Sequence, residues 1–315
     1  MDKITPIYRN IPGLSAARFV REELPYTQAL YHQEEELHKD VAELFEFYIK
    51  NAAELPMYSV KEQTADDLLA VLSRYSKMLE AATDKLFQLP FEEVSRWFDC
   101  TAVRDPRFRT FYEFARATFM DRGTQGLPST VYGRVDAAVS PRTGEVLGVY
   151  EMNGDTPVML FESINLENLL VTELGTPHAQ ANDWWDISIA SMSRLAGKAV
   201  AVACDVNFIE DTVSSETIAQ MFEAAGARVY FTTLEGLNHD LLDLEKPFRV
   251  DGVTEAMDAV FMLLPWEEMW MSNSDILPHW KRWAHNVKFF EPPWRWFMSH
   301  KGMLAFVTYL MESEA

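Results

Sequence analysis

The chain has 315 residues, 48% of them hydrophobic, and a formal net charge of -20. Its length supports a sizeable packed core, and with Cys100 and Cys204 as the only cysteines neither a disulfide framework nor a cysteine-based metal site is expected. The acidity argues against a nucleic-acid partner and suits a cationic small molecule; the absence of any apolar run near the membrane-spanning length of about 18 residues argues against a membrane span. The start, Met1-Asp2-Lys3-Ile4-Thr5-Pro6, has no basic-then-apolar leader, so the cytoplasm is the expected compartment.

In chain order, residues 1–130 read as mainly helical. Leu37, Val41, Leu44, Phe45 and Tyr48 recur at helical spacing, as do Leu68, Leu69, Val71, Leu72, Tyr75 and Leu79. From about residue 131 to 315 the pattern is α/β. Val131 to Val139 reads as a strand, Ser140-Pro141-Arg142-Thr143-Gly144 as a turn, and Val146 to Asn153 as its hairpin partner. Helical stretches follow around 162–174 and 184–195. Lys198 to Cys204 reads as a buried strand, Ser214-Ser215-Glu216 as a helix start, Gly226 as its stop, and Arg228 to Thr232 and Val260 to Leu264 as two more strands. The fold class expected is therefore α/β, in the broad sense that includes α+β, with a helical N-terminal region and no internal repeat.

The hairpin carries the chemistry. With a period of two, Arg134 and Asp136 share one face of the first strand, and Glu151 and Asn153 share one face of the second. Two carboxylates and an amide oxygen are the hard donors that Mg²⁺ takes together with substrate phosphates, and Arg134 is suited to an anionic group beside them. The same pattern also describes a hairpin with a solvated polar face. A simple turn centred on Arg142 and Thr143 would put Glu151 opposite Arg134 and Asn153 opposite Tyr132. Convergence of Asp136, Glu151 and Asn153 then requires a bulge or a wider turn to shift the register, with Gly148 the expected place.

Glu210 and Asp211 follow the buried strand, where open α/β sheets bind ligands, so the acidic pair can hold an ammonium; equally, two acids at a helix N-terminus complement its dipole. The tryptophans, among them Trp184, Trp185, Trp266, Trp270, Trp280, Trp283, Trp294 and Trp296, suit either a cation-binding cleft or the core, and packing is the expected role for most. None of the 7 histidines stands in a metal or nucleophile motif.

Arg134-Val135-Asp136 followed by Glu151-Met152-Asn153-Gly154-Asp155-Thr156 resembles the glutathionylspermidine synthases, carboxylate-amine ligases of ATP-grasp type. Glu210-Asp211, Leu264-Pro265-Trp266-Glu267, Glu291-Pro292-Pro293-Trp294 and Ser299-His300-Lys301-Gly302 follow in the family's order. The resemblance implies Mg²⁺ on Asp136, Glu151 and Asn153, with Arg134 as the catalytic cation and Lys301 on the ATP phosphates. It implies Thr156, Glu210 and Asp211 on a glutathione-like peptide and a polyamine as the amine substrate. Val158 departs from the bifunctional members, which have a hydroxyl there, so the peptide can differ from glutathione; their amidase domain has no counterpart. The family continues past the point matching Ala315 into a second lysine segment, a glycine-containing loop and an arginine. On that comparison the ligase body is incomplete and the chain alone is expected to be inactive. Two readings stay open: an ATP-dependent ligase, and a non-catalytic ligand-binding protein on the same fold.

Overall fold

In the computed structural model, which describes residues 2–9, 16–31, 34–48, 55–98, 100, 102–123, 126–175, 179–181, 183–272 and 275–313, the helical spacing of the first third becomes α1 (Ala16–Glu23), α2 (Pro25–Leu30), α3 (Glu34–Tyr48), α4 (Glu62–Leu86), α5 (Phe91–Trp97) and α6 (Phe108–Met120). Leu37, Val41 and Leu79 are buried as the stripes require, whereas Leu69, also on the second stripe, is 48% exposed. His32, His178 and the side chains of Leu44, Phe45 and Tyr48 lie outside the described residues. The mainly helical reading missed one element pair, β1 (Ile4–Arg9) and β2 (Leu55–Val60), which run antiparallel with Ile4 opposite Val60. Pro6 and Pro56 hide them, because proline within a run marks an edge strand and weakens its alternation.

The mixed α/β body follows. Strands β3 (Arg134–Val139) and β4 (Val146–Asn153) form the expected hairpin, and α7 (Glu167–Leu174) and α8 (Trp184–Met192) the expected helices. Next come β5 (Ala199–Cys204), α9 (Ile209–Ala224), β6 (Arg228–Thr233), the short pair β7 (Leu237–His239) and β8 (Phe248–Val250), and β9 (Ala259–Met262). After α10 (Trp266–Ser272) and α11 (Trp280–Trp283), β10 (Lys288–Phe290) completes a four-stranded parallel sheet of order β10-β9-β5-β6. Every residue of β5 is buried, as befits a central parallel strand covered on both faces.

Helix α9 begins at Ile209, earlier than Ser214-Ser215-Glu216 suggests, and ends before Gly226, whose φ of 88° stops it. The polar triplet imitates a cap because it is buried for another purpose. The Glu216 carboxylate accepts the backbone N–H of Thr27 at 2.6 Å and of Tyr26 at 3.1 Å, tying the start of α2 to α9. Helices α12 (Arg295–Ser299) and α13 (Lys301–Ser313) close the chain. They share one core with α4 to α6, in which Phe297 packs 5.2 Å from Phe87 and Phe111 packs 4.2 Å from Trp270. Trp266, Trp270, Trp283 and Trp294 are fully buried, so packing rather than a cleft claims them.

Candidate functional site

The β3/β4 hairpin brings the polar residues together through two bulges. Val139 lies opposite Val146, the register of a tight turn at Arg142 and Thr143, but irregularities fall between Ala138 and Val139 and between Asp136 and Ala137. Each absorbs one extra β4 residue, Leu147 and then Tyr150, while Gly148, the expected bulge, pairs normally with Ala138. Leu147 and Tyr150 are 70% and 65% exposed, as bulged side chains without a ladder place can be. Together the bulges advance β4 by one same-face step. Asp136 therefore faces Glu151, and Arg134 faces Asn153.

Directly opposed residues have Cβ atoms about 5 Å apart, close enough for their carboxylates to share an ion. One guanidinium already spans them: Arg134 Nε is 2.8 Å from Asp136 and Nη2 3.9 Å from Glu151. Asn153 Nδ2 donates to Glu151 at 3.1 Å, and Lys301, at the start of α13, donates to the other Glu151 oxygen. Lys301, first, and then Asn153 hold the Glu151 carboxyl down at about 2. Among the described residues no group of three or more His, Cys, Asp or Glu side chains could hold a metal ion by itself. The donor set here, two carboxylates and an amide, fits Mg²⁺ when phosphates complete the coordination.

Replacing Lys301 by Met is expected to lift the Glu151 pKa toward its ordinary 4.5, read by NMR titration of labelled glutamate carboxyls. In the wild type the contribution of these contacts to stability is full above pH 4.5 and is lost as pH falls toward about 2; the variant keeps only the weaker dependence that Asn153 supplies. An unchanged Glu151 titration would remove Lys301 from the site.

Behind the hairpin stands a buried clamp whose arginine the motifs did not single out, although its Glu291, Ser299 and Trp266 stand in them. Arg295, the first residue of α12, donates from Nε to the Gly154 carbonyl at 2.9 Å and from Nη2 to the Tyr132 carbonyl at 2.8 Å. The guanidinium thus bridges the two strands just past their last rung, Arg134 opposite Asn153. It needs bare backbone there, since a Cβ on Gly133 would meet Arg295 Nη2 at 2.3 Å and one on Gly154 would meet Nε at 2.8 Å. Glu291 lies 3.7 Å from Arg295 and accepts the N–H groups of Val131 at 2.7 Å and Tyr132 at 3.0 Å. Burial pushes the Glu291 carboxyl up to about 7 despite those partners. Ser299 Oγ accepts the Gly154 N–H at 2.8 Å, and Trp266 Nε1 donates to the Glu291 carbonyl at 3.1 Å. The sequence signal was present in Gly133, Gly154 and the arginine beside Trp294, but only the fold shows that they meet.

The remaining substrate candidates are less joined. Asp211, in the first turn of α9, is held up at about 6 by burial and then by the charges of Asp205 and Glu210. Its charge, with those of Glu291 and Glu162, adds to the burial that raises the Tyr132 hydroxyl, which donates to the Pro157 carbonyl. Glu210 is exposed, and among the described residues no hydrogen bond or ion pair joins it, or the Thr156 hydroxyl, to the carboxylate face.

A family model described as glutathionylspermidine synthase preATP-grasp matches residues 64–313, most of the chain, and the chain belongs to that family. Among curated proteins, none matches it.

Proposed function

We propose that this member of the glutathionylspermidine synthase preATP-grasp family binds Mg-ATP on the Asp136/Glu151 face and serves an ATP-dependent carboxylate-amine ligase reaction, joining a glutathione-like peptide to a polyamine. The observation that carries the proposal is the bulged register, which sets Asp136 against Glu151 with Arg134 and Lys301 already on them. A hairpin with only a solvated polar face has no need for two bulges that align these residues.

In such a reaction a carboxylate oxygen of the peptide attacks the γ-phosphorus of ATP and ADP leaves. The amine nitrogen then attacks the carbonyl carbon of the acyl phosphate, phosphate departs with the bonding pair, and the nitrogen loses a proton. Asp136, Glu151 and Asn153 would hold magnesium, which would neutralise phosphate charge. Arg134 and Lys301 are free to exchange their carboxylate partners for phosphate oxygens, for which a guanidinium and a mobile ammonium are well suited. Asp211, with Glu210, would hold a substrate ammonium, and the Thr156 hydroxyl would position the peptide. The Arg295 clamp holds together the ends of the two strands that would carry the metal.

The test is to incubate the protein with ATP, Mg²⁺, glutathione and spermidine, measuring conjugate by mass spectrometry and ADP release, with Mg-ADP calorimetry in parallel. Conjugate formed in step with ADP supports ligation. Mg-ADP binding without conjugate, the result expected if the chain alone is inactive, would support the nucleotide site and favour the non-catalytic ligand-binding reading; neither signal would remove both. No helix among the described residues is long and apolar enough to cross a membrane, in keeping with small-molecule substrates.

A further inference from the structure

The two bulges of β4 leave their extra side chains in different surroundings. Leu147, from the first bulge, borders a groove with Leu68 and Val71 of α4. Tyr150, from the second, is 65% exposed, and among the described residues its ring and hydroxyl make no hydrogen bond or ring contact. One face of the hairpin lies on the core: Met152 is 5% exposed there, and Val135, opposite it, packs against the main cluster. A ring as open as that of Tyr150 is not on that face and borders the other, which carries Asp136 and Glu151. The Tyr150 carbonyl oxygen lies 3.5 Å from Lys301 Nζ, so this tyrosine stands at the cation that pairs with Glu151.

The floor beside it is bare. One same-face step from the Asp136/Glu151 rung, about 7 Å along the strands, Ala138 stands opposite Gly148. Gly148 is exposed, and a Cβ added to it would meet nothing within 4 Å. It is not among the glycines of positive φ and pairs normally with Ala138. Neither crowding, backbone conformation nor a bulge calls for glycine there, and its effect is to keep the face open between the carboxylates and the turn. Bulges beside ligand sites re-aim side chains, and an aromatic ring set beside open space next to two mobile cations suits a planar ligand with an anionic tail.

We propose that Tyr150 is the base-stacking residue of the nucleotide face, an inference that rests on the Mg-ATP reading of that face. The phosphates meet Lys301 and Arg134 at the Asp136/Glu151 rung, and the ribose crosses the step between rungs. The base occupies the open space over Ala138 and Gly148 with its plane against the Tyr150 ring. Stacking on an aromatic ring is tolerant of which base is present, and neither Ala138 nor Gly148 offers a side-chain donor or acceptor to the base edge. The face therefore prefers purines by ring area and does not distinguish adenine from guanine.

The test is calorimetry of Mg-ADP, Mg-GDP, Mg-CDP and Mg-pyrophosphate with the intact wild type and with Tyr150→Ala, Tyr150→Phe and Gly148→Val. Tyr150→Ala should weaken Mg-ADP and Mg-GDP about tenfold each and leave Mg-pyrophosphate unchanged. Tyr150→Phe keeps the ring and should bind all four as the wild type does. Gly148→Val should give a similar selective loss by filling the space of the base, with the melting temperature unchanged because nothing crowds that position. Mg-CDP should bind the wild type more weakly than either purine diphosphate. Nucleotide affinity unchanged in Tyr150→Ala would overturn the stacking role and leave the metal-phosphate site, which Mg-pyrophosphate reads separately. An equal loss of Mg-pyrophosphate in Tyr150→Ala would reveal a disturbed bulge and would also overturn it. Failure of both Mg-ADP and Mg-pyrophosphate to bind the wild type would remove the nucleotide reading itself, and the stacking role with it.

Discussion

Asp136→Asn and Glu151→Gln are each expected to weaken Mg-ADP binding by about 100-fold or more, since outer-shell partners of a metal ligand alone cost roughly 10- to 100-fold. Each change removes a negative oxygen from a set that has only two carboxylates, and an amide cannot replace it for a hard dication. In the absence of Mg²⁺ the same changes should leave nucleotide affinity unchanged or raise it, because Arg134 or Lys301 loses a competing carboxylate. Both acids are about one-third exposed, with side-chain accessibilities of 38% and 31%, so folding should suffer little. The double variant should lose less than the sum, because the two groups act on one ion. Calorimetry with and without Mg²⁺ reads all of these outcomes. Equal losses with and without the metal would point to a damaged fold instead of a missing ligand.

Arg295→Met is expected to destabilise the protein by about 3–5 kcal/mol, the cost of removing one member of a buried ion pair. The change leaves Glu291 without its counter-ion and strips the Tyr132 and Gly154 carbonyls of their donors. Adding Glu291→Gln should restore part of the loss, because an amide oxygen can still accept the Val131 and Tyr132 N–H groups without a buried charge. The pH dependence follows from Glu291 being raised from 4.5 to about 7. A carboxyl held higher in the folded state binds its proton more tightly there, so its contribution is full below pH 4.5 and declines as pH rises to about 7, a span worth about 3 kcal/mol. Urea unfolding from pH 5 to 8 should show that decline in the wild type and a flatter profile in Glu291→Gln. In Arg295→Met the decline should extend above pH 7. A flat wild-type profile would contradict the buried charge.

Much of the fold was legible because its residues obey one period at a time. The all-apolar run of β5, the stripes of α3 and α4, and Gly226 are local signals that the structure repeats directly. Elements were lost where polar residues serve distant partners. Ser214-Ser215-Glu216 looks like a cap because Glu216 faces Tyr26 and Thr27 far away in the chain. β1 and β2 pair across several helices, through strands interrupted by proline. For the site, the face of each polar residue could be read from alternation, and so could the need for a bulge. Its place could not, because bulge positions depend on which side chains find no inward partner, here Leu147 and Tyr150. Arg295 escaped for a related reason. Its partners are backbone carbonyls, which leave no trace in side-chain patterns beyond the glycines that admit it.

Anomalous scattering from crystals grown with Mn-ADP decides whether the bulged hairpin is a metal-nucleotide face. Mn²⁺ stands in for Mg²⁺ as a hard, oxygen-seeking dication. An anomalous peak is expected at about 2.1 to 2.3 Å from oxygens of Asp136 and Glu151, close to nucleotide phosphate, with Arg134 and Lys301 turned to the phosphates. A peak at Asp205, Glu210 or Asp211, or nucleotide bound with Arg134 and Lys301 still paired to Asp136 and Glu151, would contradict it.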